Sequence, residues 1–584
     1  MIYAEKLTFG FNSTFLFQDI SFTLEENCHC ALIGSNGTGK TTLMNLIQSP
    51  ERYIFDGKLH SEQAGRIGYV SQFAIREGDQ SVTVYDYLRQ DFLELEQAIS
   101  DVCMQMESAD DMDALMERYQ NLLDEGDAID ADNHEFNIRK QLRLAELESK
   151  ASLELEKLSG GELKLVQVIR QMLRCPGLLI MDEPDVFLDF ENLNGLRDLI
   201  NAYHGTLLVV THNRYLLAHC FDRIWHLENG SLQVFEGNFT QYSYARLQKK
   251  IDLQLASVAD EEEIQRITSL VERLRDDATE VIDPQLGRTL KGKVSYLNRL
   301  LARQIKAPFV EIRQPDIHLP QVDTLEQPQE LLCLSNYSLS FEKSLLEQVS
   351  FSVHSGEKVA LVGANGTGKT SMLREIWKSQ HPAIHFSEAA FPAFFSQLHA
   401  EILSEQNTIY QEFFAIGFET KEQVEAHLQK YCFDPDTLGR KVGNLSGGEK
   451  NLLQLAKLAA GKANLLLLDE PSSHLDTFAQ IALEDAISSY QGAVLMVSHD
   501  FYTIVNCADT ILLVENGGIR PMSARAFRKM IYKKHFSKDY LELELQKKDL
   551  ETKIARYLEA GDCAEAQRAC DKLAAIVEQM QQSL

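Results

Sequence analysis

The chain has 584 residues, of which 57 are basic and 86 acidic, giving a formal net charge of −29, and 44% of its residues are apolar. This length predicts two or three domains, and the apolar fraction excludes a disordered chain. No apolar run approaches the roughly 18 residues that a membrane-spanning helix needs. Ten cysteines without a Cys-x-x-Cys pair disfavour a disulfide framework and a zinc site, so we expect a soluble, reduced, cytoplasmic protein.

The first recognisable element is a phosphate-binding loop, G-x-x-x-x-G-K-T, at residues 34–41. It follows the apolar run "CALI" and precedes the helix-like run "TTLMNLI", which is the strand–loop–helix context that the motif requires. We expect Lys40 to reach the β- and γ-phosphates and Thr41 to ligate Mg²⁺. The predicted nucleotide contacts of this loop are Gly34, Ser35, Asn36, Gly37, Thr38, Gly39, Lys40, Thr41 and Thr42.

The segment from about 92 to 136 is helical in period and strongly acidic. It is an insertion, because 87 positions separate Gln72 from Ser159, whereas 49 separate the matching residues Gln397 and Ser446 later in the chain. An acidic arm suits a basic protein partner better than naked RNA. A larger helical subdomain with a solvated acidic face explains the segment equally well.

The apolar run "LLIMDEP" ends in a pair of carboxylates. Asp182, at the end of a buried strand, suits coordination of Mg²⁺. Glu183 lies where a carboxylate can polarise an attacking water molecule. His212 follows the next apolar run, "TLLVV", and we interpret it as a γ-phosphate contact because its spacing from Asp182 recurs in the second half of the chain.

Two apolar stripes at helical spacing follow, from about 243 to 277 and from about 294 to 305. Pro284 and Gly287 break the pattern between them, so the sequence predicts a helical hairpin. At a rise of 1.5 Å per residue, the first helix would span on the order of 50 Å.

The return helix of this hairpin is unusually basic. Residues 284–306 contain six Lys or Arg and no acid. One interpretation is a solvated basic face, balanced by acids such as Glu261–Glu263. Those acids would lie near the base of an antiparallel hairpin, far from its tip, so a basic tip without acidic partners also suits RNA phosphates. The residues alone leave both interpretations open. The predicted RNA-binding residues are Arg288, Lys291, Lys293, Arg299 and Arg303.

The motifs of the first half recur in the second. "ALVGANGTGKTSM", "LSGGE", "LLLLDEP" and "MVSHD" repeat, with the same 23 positions from signature serine to aspartate and the same 30 from aspartate to histidine. The chain therefore holds two copies of one nucleotide-binding domain. The second loop contacts are Gly363, Ala364, Asn365, Gly366, Thr367, Gly368, Lys369, Thr370 and Ser371, and the residues matching Asp182, Glu183 and His212 are Asp469, Glu470 and His499.

The last segment predicts a second helical hairpin. Leu543, Leu550, Ile554 and Tyr557 form one stripe, and a further stripe follows Gly561. The Asp-x-x-Glu pattern that begins at Asp562 is typical of a helix start. We expect structural packing here, because the segment lacks a clear basic face.

Paired phosphate-binding loops, "LSGGE" signatures, "DEP" segments and switch histidines resemble ATP-binding cassettes. The resemblance implies a head-to-tail pair of cassettes, with each ATP between the loop of one and the signature of the other. One site would join Lys40, Asp182, Glu183 and His212 to Ser446, Gly447, Gly448 and Glu449. The other would join Lys369, Asp469, Glu470 and His499 to Ser159, Gly160, Gly161 and Glu162. By the same resemblance Gln72 and Gln397 would be metal contacts, and Phe11 and Phe341 would stack on adenine.

Two fused cassettes, a linker of roughly 80 residues and no spanning segment resemble the ABC-F group. "DEPSSHLD" and "FEGNFTQYSYARLQKK" carry further likeness. The resemblance implies a cytoplasmic, monomeric ATPase using ATP and Mg²⁺ that binds the ribosome. Its linker would reach toward the P-site tRNA and the peptidyl-transferase centre, as in antibiotic-resistance proteins or translation factors. Some members of the group carry an arm at the acidic insertion that touches a ribosomal stalk.

The first cassette departs from the group's pattern at "DEPDVFLD", where Asp185, Val186 and Phe187 replace Thr-Asn-His. We therefore expect two unequal but competent ATP sites. A cassette ATPase that regulates a membrane transporter or a DNA-repair complex is the alternative. The sequence does not support this alternative, because it shows neither the coupling segment expected for a transporter nor the zinc-binding cysteine pairs expected for DNA repair.

The predicted fold is α/β, with two P-loop cassettes joined by a long helical hairpin and followed by a C-terminal helical hairpin. The expected boundaries are 1–240 for the first cassette, 241–312 for the linker, 313–330 for a connector, 331–535 for the second cassette and 536–584 for the C-terminal hairpin.

Overall fold

The computed structural model describes most of the chain, in two compact units. The first unit comprises Met1–Asn238 and Gln314–Arg528, and the second comprises Phe239–Arg313 and Lys529–Leu584. Phe187, Arg288 and Arg303 lie outside the described residues. Among the described helices, none is long and apolar enough to cross a membrane. The described residues are 2–11, 14–61, 67–72, 81–106, 112–174, 176–186, 188–280, 291–299, 314–322, 329–341, 344–379, 381–533 and 538–583.

The first copy of the repeat, here called the first cassette, alternates strands and helices. Its strands are β1 (Ile2–Phe11), β2 (Thr14–Leu24), β3 (His29–Ile33), β4 (Asp56–Ser61), β5 (Ile67–Val70), β6 (Leu178–Asp182), β7 (Thr206–Val210), β8 (Arg223–Glu228) and β9 (Ser231–Glu236). Its helices are α1 (Lys40–Gln48), α2 (Val84–Met106), α3 (Met112–Ala128), α4 (His134–Leu144), α5 (Gly160–Leu173), α6 (Phe190–Ala202) and α7 (Arg214–His219).

A six-stranded sheet in the order β5-β6-β7-β3-β8-β9 positions the functional residues of this cassette. Its strands are parallel except for the antiparallel pair β8–β9. Every residue of β6 and β7 is buried, as expected for strands of a parallel sheet covered on both faces. The carboxyl ends of β3, β6 and β7 meet at one edge, which is where open α/β sheets bind ligands.

The acidic segment of the first cassette is largely helical. Helices α2 and α3 pack against each other. Helix α2 buries one apolar face, whereas no residue of α3 is buried. The stretch 107–111 between the two helices lies outside the described residues.

The linker begins with one long helix, α8 (Phe239–Glu280), which has 42 residues. It is longer than the predicted span of about 243 to 277. Ile267 and Val271 of the predicted stripe are buried, at 3% and 2% exposure. A shorter helix, α9, covers 291–299 and carries Lys291, Lys293 and Arg299.

The second cassette repeats the architecture of the first. Its strands are β10 (Glu330–Ser340), β11 (Ser344–His354), β12 (Lys358–Gly363), β13 (Ile384–Phe386), β14 (Pro392–Phe395), β15 (Leu465–Asp469), β16 (Ala493–Val497), β17 (Thr510–Glu515) and β18 (Gly518–Ser523). Its helices are α10 (Lys369–Lys378), α11 (Ile409–Phe414), α12 (Lys421–Gln429), α13 (Gly447–Ala459), α14 (Thr477–Ser489), α15 (Phe501–Cys507) and α16 (Ala524–Lys533).

The main sheet of the second cassette has the order β14-β15-β16-β12-β17-β18, which matches the first strand for strand. Each cassette adds a three-stranded antiparallel sheet, β2-β1-β4 in the first and β11-β10-β13 in the second. In each cassette one apolar core joins this small sheet to the helix after the phosphate-binding loop and to the main sheet. The predicted α/β fold with two P-loop cassettes is confirmed.

The chain ends in two helices, α17 (Lys538–Glu559) and α18 (Cys563–Ser583), which form a hairpin. Asp562 Oδ1 accepts a hydrogen bond from the Glu565 N–H at 3.1 Å, so the predicted helix cap is present. The hairpin packs on α8 through a core that includes Ile251, Ile554 and Leu573, each at 0% exposure. The sequence did not predict this pairing of the C-terminal hairpin with the linker.

Candidate active site

The first phosphate-binding loop connects β3 to α1. Gly39, just before α1, has a φ of 96°, a left-handed conformation that glycine adopts without steric cost. The ammonium group of Lys40 donates hydrogen bonds to the carbonyl oxygens of Gly34 at 2.8 Å and Ser35 at 2.9 Å. Burial lowers the pKa of Lys40. The loop thus curls around the lysine, with its backbone positioned to cradle phosphates.

The second loop has the same geometry. Gly368 precedes α10 with a φ of 90°. Lys369 Nζ donates to the carbonyl oxygens of Gly363 at 2.8 Å and Ala364 at 2.7 Å. Thr42 and Ser371 occupy the first turns of the helices that follow the two loops, and Thr38 and Thr367 close each loop by donating to a carbonyl three residues back.

The residues predicted to ligate Mg²⁺ meet at each loop. Thr41 Oγ1 donates to Asp182 Oδ2 at 3.1 Å, and Thr370 Oγ1 donates to Asp469 Oδ1 at 2.9 Å. The second carboxylate oxygen of Asp469, Oδ2, is buried and has no hydrogen-bond partner among the described residues. Hydroxyl and carboxylate oxygens are the ligands that Mg²⁺ prefers, so the residues fit this ion.

The two predicted catalytic glutamates are partly buried side chains with raised pKa values. Burial, together with the neighbouring Asp185 and Asp182, raises the pKa of Glu183 to about 7. Burial and the neighbouring Asp469 raise the pKa of Glu470 to about 8. A carboxyl poised near neutral pH is suited to accept a proton from an attacking water molecule.

The two histidines lie at the ends of β7 and β16 in different hydrogen-bond environments. Neither ring nitrogen of His212 has a hydrogen-bond partner among the described residues, although both are buried. His499 Nε2 lies 3.6 Å from Glu470 Oε1, and the His499 N–H donates to Glu470 Oε2 at 3.2 Å. Burial and the nearby lysine lower the pKa of His212 well below its usual value and that of His499 to about 4, so both imidazoles are neutral at pH 7.

The signature sequences form the starts of α5 and α13. Ser159 Oγ accepts from the Glu162 N–H, and the Glu162 side chain accepts from the Ser159 N–H, which is a complete capping box. Ser446 and Glu449 form the same box before α13. Both helices therefore begin sharply, with the N–H groups of their first residues directed out of the helix end.

A cavity of about 640 Å³ lies between the two cassettes, beside the second phosphate-binding loop. This volume is typical of a small-molecule site. From the second cassette it is lined by Asn365, Gly366, Gly368, Lys369, Thr370, Ser371, Gln397, Glu470 and His499. From the first cassette it is lined by the signature residues Ser159, Gly160 and Gly161, and by Glu183, Asp185 and His212. The structure thus brings together the two halves expected for this composite site.

The first loop lies against the second cassette in the same way. Asn36 Nδ2 donates to the His474 carbonyl oxygen at 2.9 Å, and the Asn36 N–H donates to Asp476 Oδ2 at 3.4 Å. A Cβ atom added to Gly448 would lie 2.2 Å from Asn36 Nδ2. Only glycine fits at this point of the second signature, because the added atom would also lie 2.6 Å from the backbone carbonyl oxygen of His474, which cannot move aside as the Asn36 side chain can.

A protein-family model described as ABC transporter matches residues 17–186 and 346–473, once in each cassette and over just over half of the chain. The chain belongs to the ABC transporter family. Cassettes of this family bind and hydrolyse ATP, so the prediction that the chain is an ATPase is confirmed, and the two matched segments lie in its ATP-binding cassettes.

Individual relatives support the same assignment. ABC transporter F family member 5 of Arabidopsis thaliana is 26% identical over 532 residues, which cover 88% of this chain and 75% of that protein. Energy-dependent translational throttle protein EttA of Haemophilus influenzae is 27% identical over 519 residues, covering 85% of this chain and 88% of that protein. The solved structure of the RNase-L Inhibitor shares the fold, with a TM-score of 0.54 at 18% identity over 91% of this chain and 92% of that one. The predicted ABC-F relationship is confirmed.

The remaining predicted site residues occupy different surroundings. Gln72 Nε2 donates to Glu183 Oε2 at 2.7 Å, whereas Gln397 lines the cavity at the second loop. Phe11 ends β1 and Phe341 follows β10, and both are more than half exposed. Neither aromatic ring is among the described residues that line the cavity, so stacking on adenine stays a prediction.

The sequence did not point to three residues that contact predicted site residues, namely Asp189, Asp476 and Lys164. Asp189 Oδ2 accepts from the Asn365 N–H at 3.2 Å, as Asp476 does for the other loop. The two aspartates end the "DEP" segments at equal spacing, so the repeat itself could have revealed them. Lys164, which donates to the Gln72 carbonyl oxygen at 2.9 Å, has Asn451 in its place in the second cassette and gave no such signal.

The departure at Asp185 creates a contact specific to the first cassette. The partly buried Asp185 carboxylate accepts a hydrogen bond from Thr211 Oγ1 at 2.7 Å. Thr211 Oγ1 also accepts from the Asn213 N–H at 3.0 Å, so this contact ties the "DEP" segment to the loop that carries His212. The two ATP sites therefore differ in their hydrogen bonds as well as in their sequence.

Proposed function

We propose that this ATPase acts on the ribosome in the cytoplasm, as a monomer that pairs its own cassettes around two ATP molecules. ATP binding would close the cassettes and favour the ribosome-bound state, and hydrolysis would release the protein. The linker would reach toward the P-site tRNA and the peptidyl-transferase centre. A relative that covers most of the chain is named a translational throttle protein, which supports a role in translation.

The observation that carries this proposal is a basic segment attached to a long helix in an acidic protein. Helix α8, with 42 residues, would be about 63 Å long if straight. Helix α9 bears Lys291 and Arg299, both exposed, and the half-exposed Lys293. Basic side chains on a molecule of net negative charge would attract RNA phosphates, which makes α9 a candidate RNA contact.

In the second site each residue has a chemical role that follows from its position. Lys369 and the loop N–H groups would bind the β- and γ-phosphates. Glu470 would accept a proton from the attacking water molecule, and the neutral imidazole of His499 would hold Glu470 and the γ-phosphate in register. Thr370 and Asp469 would hold Mg²⁺, which neutralises charge on the phosphates when bound. In the first site the same roles would fall to Lys40, Glu183, His212, Thr41 and Asp182.

Two versions of the function remain distinct: a translation factor, or an antibiotic-resistance protein that displaces drugs from the ribosome. Expression of the chain in a drug-sensitive bacterium separates them. A resistance protein would increase the inhibitory concentration of drugs that bind near the peptidyl-transferase centre. This increase should be lost when Lys40→Met and Lys369→Met are combined. A translation factor would leave those concentrations unchanged.

The direct test uses Glu183→Gln and Glu470→Gln together, so that ATP binds without being cleaved. We expect this variant to sediment with ribosomes in ATP and to remain free in ADP. Adding Lys291→Glu, Lys293→Glu and Arg299→Glu should weaken the binding at least tenfold, by loss of about three phosphate contacts.

A matched control places the same charge change elsewhere in the second unit, with Lys250→Glu, Lys553→Glu and Lys572→Glu. This variant should still bind ribosomes in ATP. If the trapped protein fails to bind ribosomes at all, the proposal is wrong, and membrane or DNA partners become the next candidates. If both charge variants bind equally well, α9 is not the ribosome-facing segment.

A further inference from the structure

A buried arginine of the first cassette reaches into the second. Arg214 is the first residue of α7, two positions after His212, and only 9% of it is exposed. Its Nη1 donates to Glu484 Oε2 at 3.2 Å, and its Nη2 donates to Glu484 Oε1. Glu484 lies on α14 of the second cassette, so this charge pair spans the interface between the cassettes. Burial makes such a pair sensitive to the loss of either partner.

The same arginine also holds a residue next to the second histidine. Arg214 Nη2 lies 3.3 Å from Asp500 Oδ2, and Asp500 directly follows His499. The Asp500 carboxylate accepts from Thr503 Oγ1 at 2.7 Å and from the Tyr502 N–H at 3.1 Å, so it also caps α15. The guanidinium carbon of Arg214 lies 4.9 Å from the centre of the Tyr502 ring. Arg214 therefore fixes the start of α15 by several contacts at once.

Asp500 is part of the loop whose histidine contacts the second catalytic carboxylate. The Asp500 N–H donates to Ser498 Oγ at 3.1 Å, and the His499 N–H donates to Glu470 Oε2. Both His499 and Asp500 line the cavity between the cassettes. A continuous set of contacts thus runs from Arg214 through Asp500 and His499 to Glu470.

The second cassette lacks the residue that could make the reciprocal contact to the first cassette. The repeat aligns Arg214 with Phe501, and Asp500 with Asn213. Phe501 packs against Phe190 of the first cassette at 6.0 Å between ring centres and against Tyr215 at 6.4 Å. The loop of His499 is therefore contacted by a charged residue of the opposite cassette, whereas the corresponding contact near His212 is aromatic.

We propose that Arg214 is a positioning residue for ATP hydrolysis at the second site. It holds Asp500, and thereby keeps the loop of His499 in contact with Glu470. Because Arg214 belongs to the opposite cassette, it does so only when the cassettes are paired, which couples hydrolysis at this site to closure. The inference rests on the ATPase activity of the two cassettes and is independent of the proposed action on the ribosome.

The test measures each site separately in the full-length chain. Glu183→Gln leaves the second site as the active one, and Glu470→Gln leaves the first. We expect Arg214→Met to lower kcat at the second site at least tenfold, with KM for ATP changed less than about threefold, because misplaced catalytic groups slow the reaction without weakening ground-state binding. In the Glu470→Gln background the same change should alter kcat less than about threefold.

Two further variants separate positioning from a loss of folding. Arg214→Lys keeps the charge but not the fork of donors, so it should restore part of kcat at the second site only. Arg223→Met is the matched control, since Arg223 is a partly buried arginine of the same cassette that pairs with Glu25 and Glu236. It should leave kcat at both sites unchanged. Thermal unfolding of each variant shows whether the cassettes are intact.

Three results would overturn the proposal. The first is an equal fall in kcat in both backgrounds with Arg214→Met, or with Arg214→Lys if the methionine variant does not fold. The second is a change confined to KM. The third is full kcat at the second site in either variant. Sedimentation with ribosomes plays no part in the readout, so failure here is distinct from failure of the proposed function.

Discussion

Glu183 and Glu470 each lie one position beyond a buried strand, with φ values of 44° and 50°. For a residue other than glycine this left-handed conformation costs on the order of 1–3 kcal/mol and persists where the surrounding structure imposes it. The Glu183 N–H donates to the Val210 carbonyl oxygen at 2.8 Å, and the Glu470 N–H donates to that of Val497 at 2.9 Å. These bonds hold both carboxyls at the end of the sheet, next to the phosphate-binding loops.

The raised pKa values of these carboxyls predict the pH dependence of hydrolysis. A protonated carboxyl cannot accept the proton of the attacking water, so kcat/KM should fall as the pH drops through each pKa. With Glu470→Gln the fall should centre near pH 7, and with Glu183→Gln near pH 8. Asp185→Asn removes a negative neighbour of Glu183 and should move only the first of these profiles to lower pH.

The measurement is the pH profile of kcat/KM for ATP in each single-site background, with and without Asp185→Asn. The Glu183→Gln background serves as the internal control, because Asp185 is not among the groups that raise the pKa of Glu470. The account would be contradicted if the pH profiles of kcat/KM were identical in the Glu183→Gln and Glu470→Gln variants. It would also be contradicted if Asp185→Asn left the profile of the first site unchanged.

At the residue scale, motifs with fixed spacing located the loop lysines, the aspartates, the glutamates and the histidines. The sequence could not predict which hydrogen bond each glutamate makes. Glu183 is held by Gln72, 111 positions away, and Glu470 by His499. Arg214 likewise gave no signal, because its partner Glu484 lies 270 positions away and in the other cassette. Such contacts depend on tertiary packing that local patterns do not encode.

At the element scale, the C-terminal hairpin and the first part of α8 share one apolar core. Ile251, Ile554, Cys570 and Leu573 of this core are fully buried. Gln248 Nε2 donates to Gln567 Oε1 at 3.0 Å alongside them. The C-terminal hairpin therefore packs against the first part of α8, the helix with which the linker begins.

We expect Ile554→Ala to destabilise this bundle by about 2–5 kcal/mol, because it opens a cavity in a core that cannot fully collapse. Leu545→Ala on the same helix is the control, since Leu545 is 47% exposed and surface changes are usually within about 0.5 kcal/mol. Hydrogen exchange of amides in α17 and α18 measures the difference. Equal protection in the two variants would show that this core does not stabilise the hairpin.

Helical periodicity predicted these helices but not their partners. The stripes of Leu550 and Leu573 were visible in the sequence, yet an apolar stripe fits many surfaces. The predicted span was shorter than α8 at both ends, although Phe239 and Tyr242, three positions apart and both buried, continue the apolar spacing at its start. By contrast, three strands of each main sheet, β3, β6 and β7 in the first and β12, β15 and β16 in the second, were predicted from short apolar runs before polar motifs, where the pattern has few alternatives.

At the scale of the whole molecule, the repeat explains most of the architecture. Two copies with equal motif spacing predicted two sheets of the same strand order, and the structure has them. The pairing of the copies followed only from the family resemblance, because no local pattern states which surface meets which. The described contacts of Asn36 and Asn365 with the opposite cassette place each loop beside the other cassette's "DEP" segment.

The central claim is that each ATP is held by the loop of one cassette and the signature of the other. The measurement is the amount of ATP occluded per chain when Glu183→Gln and Glu470→Gln block hydrolysis. Gly160→Asp places a negative charge at the first signature, where an added side chain meets no atom within 4 Å. Lys369→Met and Lys40→Met each disable one loop.

If the sites are composite, Gly160→Asp with Lys369→Met damages the same site twice, and the chain should still occlude one ATP. Gly160→Asp with Lys40→Met damages both sites, and no ATP should be retained. The reverse outcome, with one ATP retained by the Lys40→Met pair and none by the Lys369→Met pair, would mean that each cassette forms its own complete site and would contradict the account.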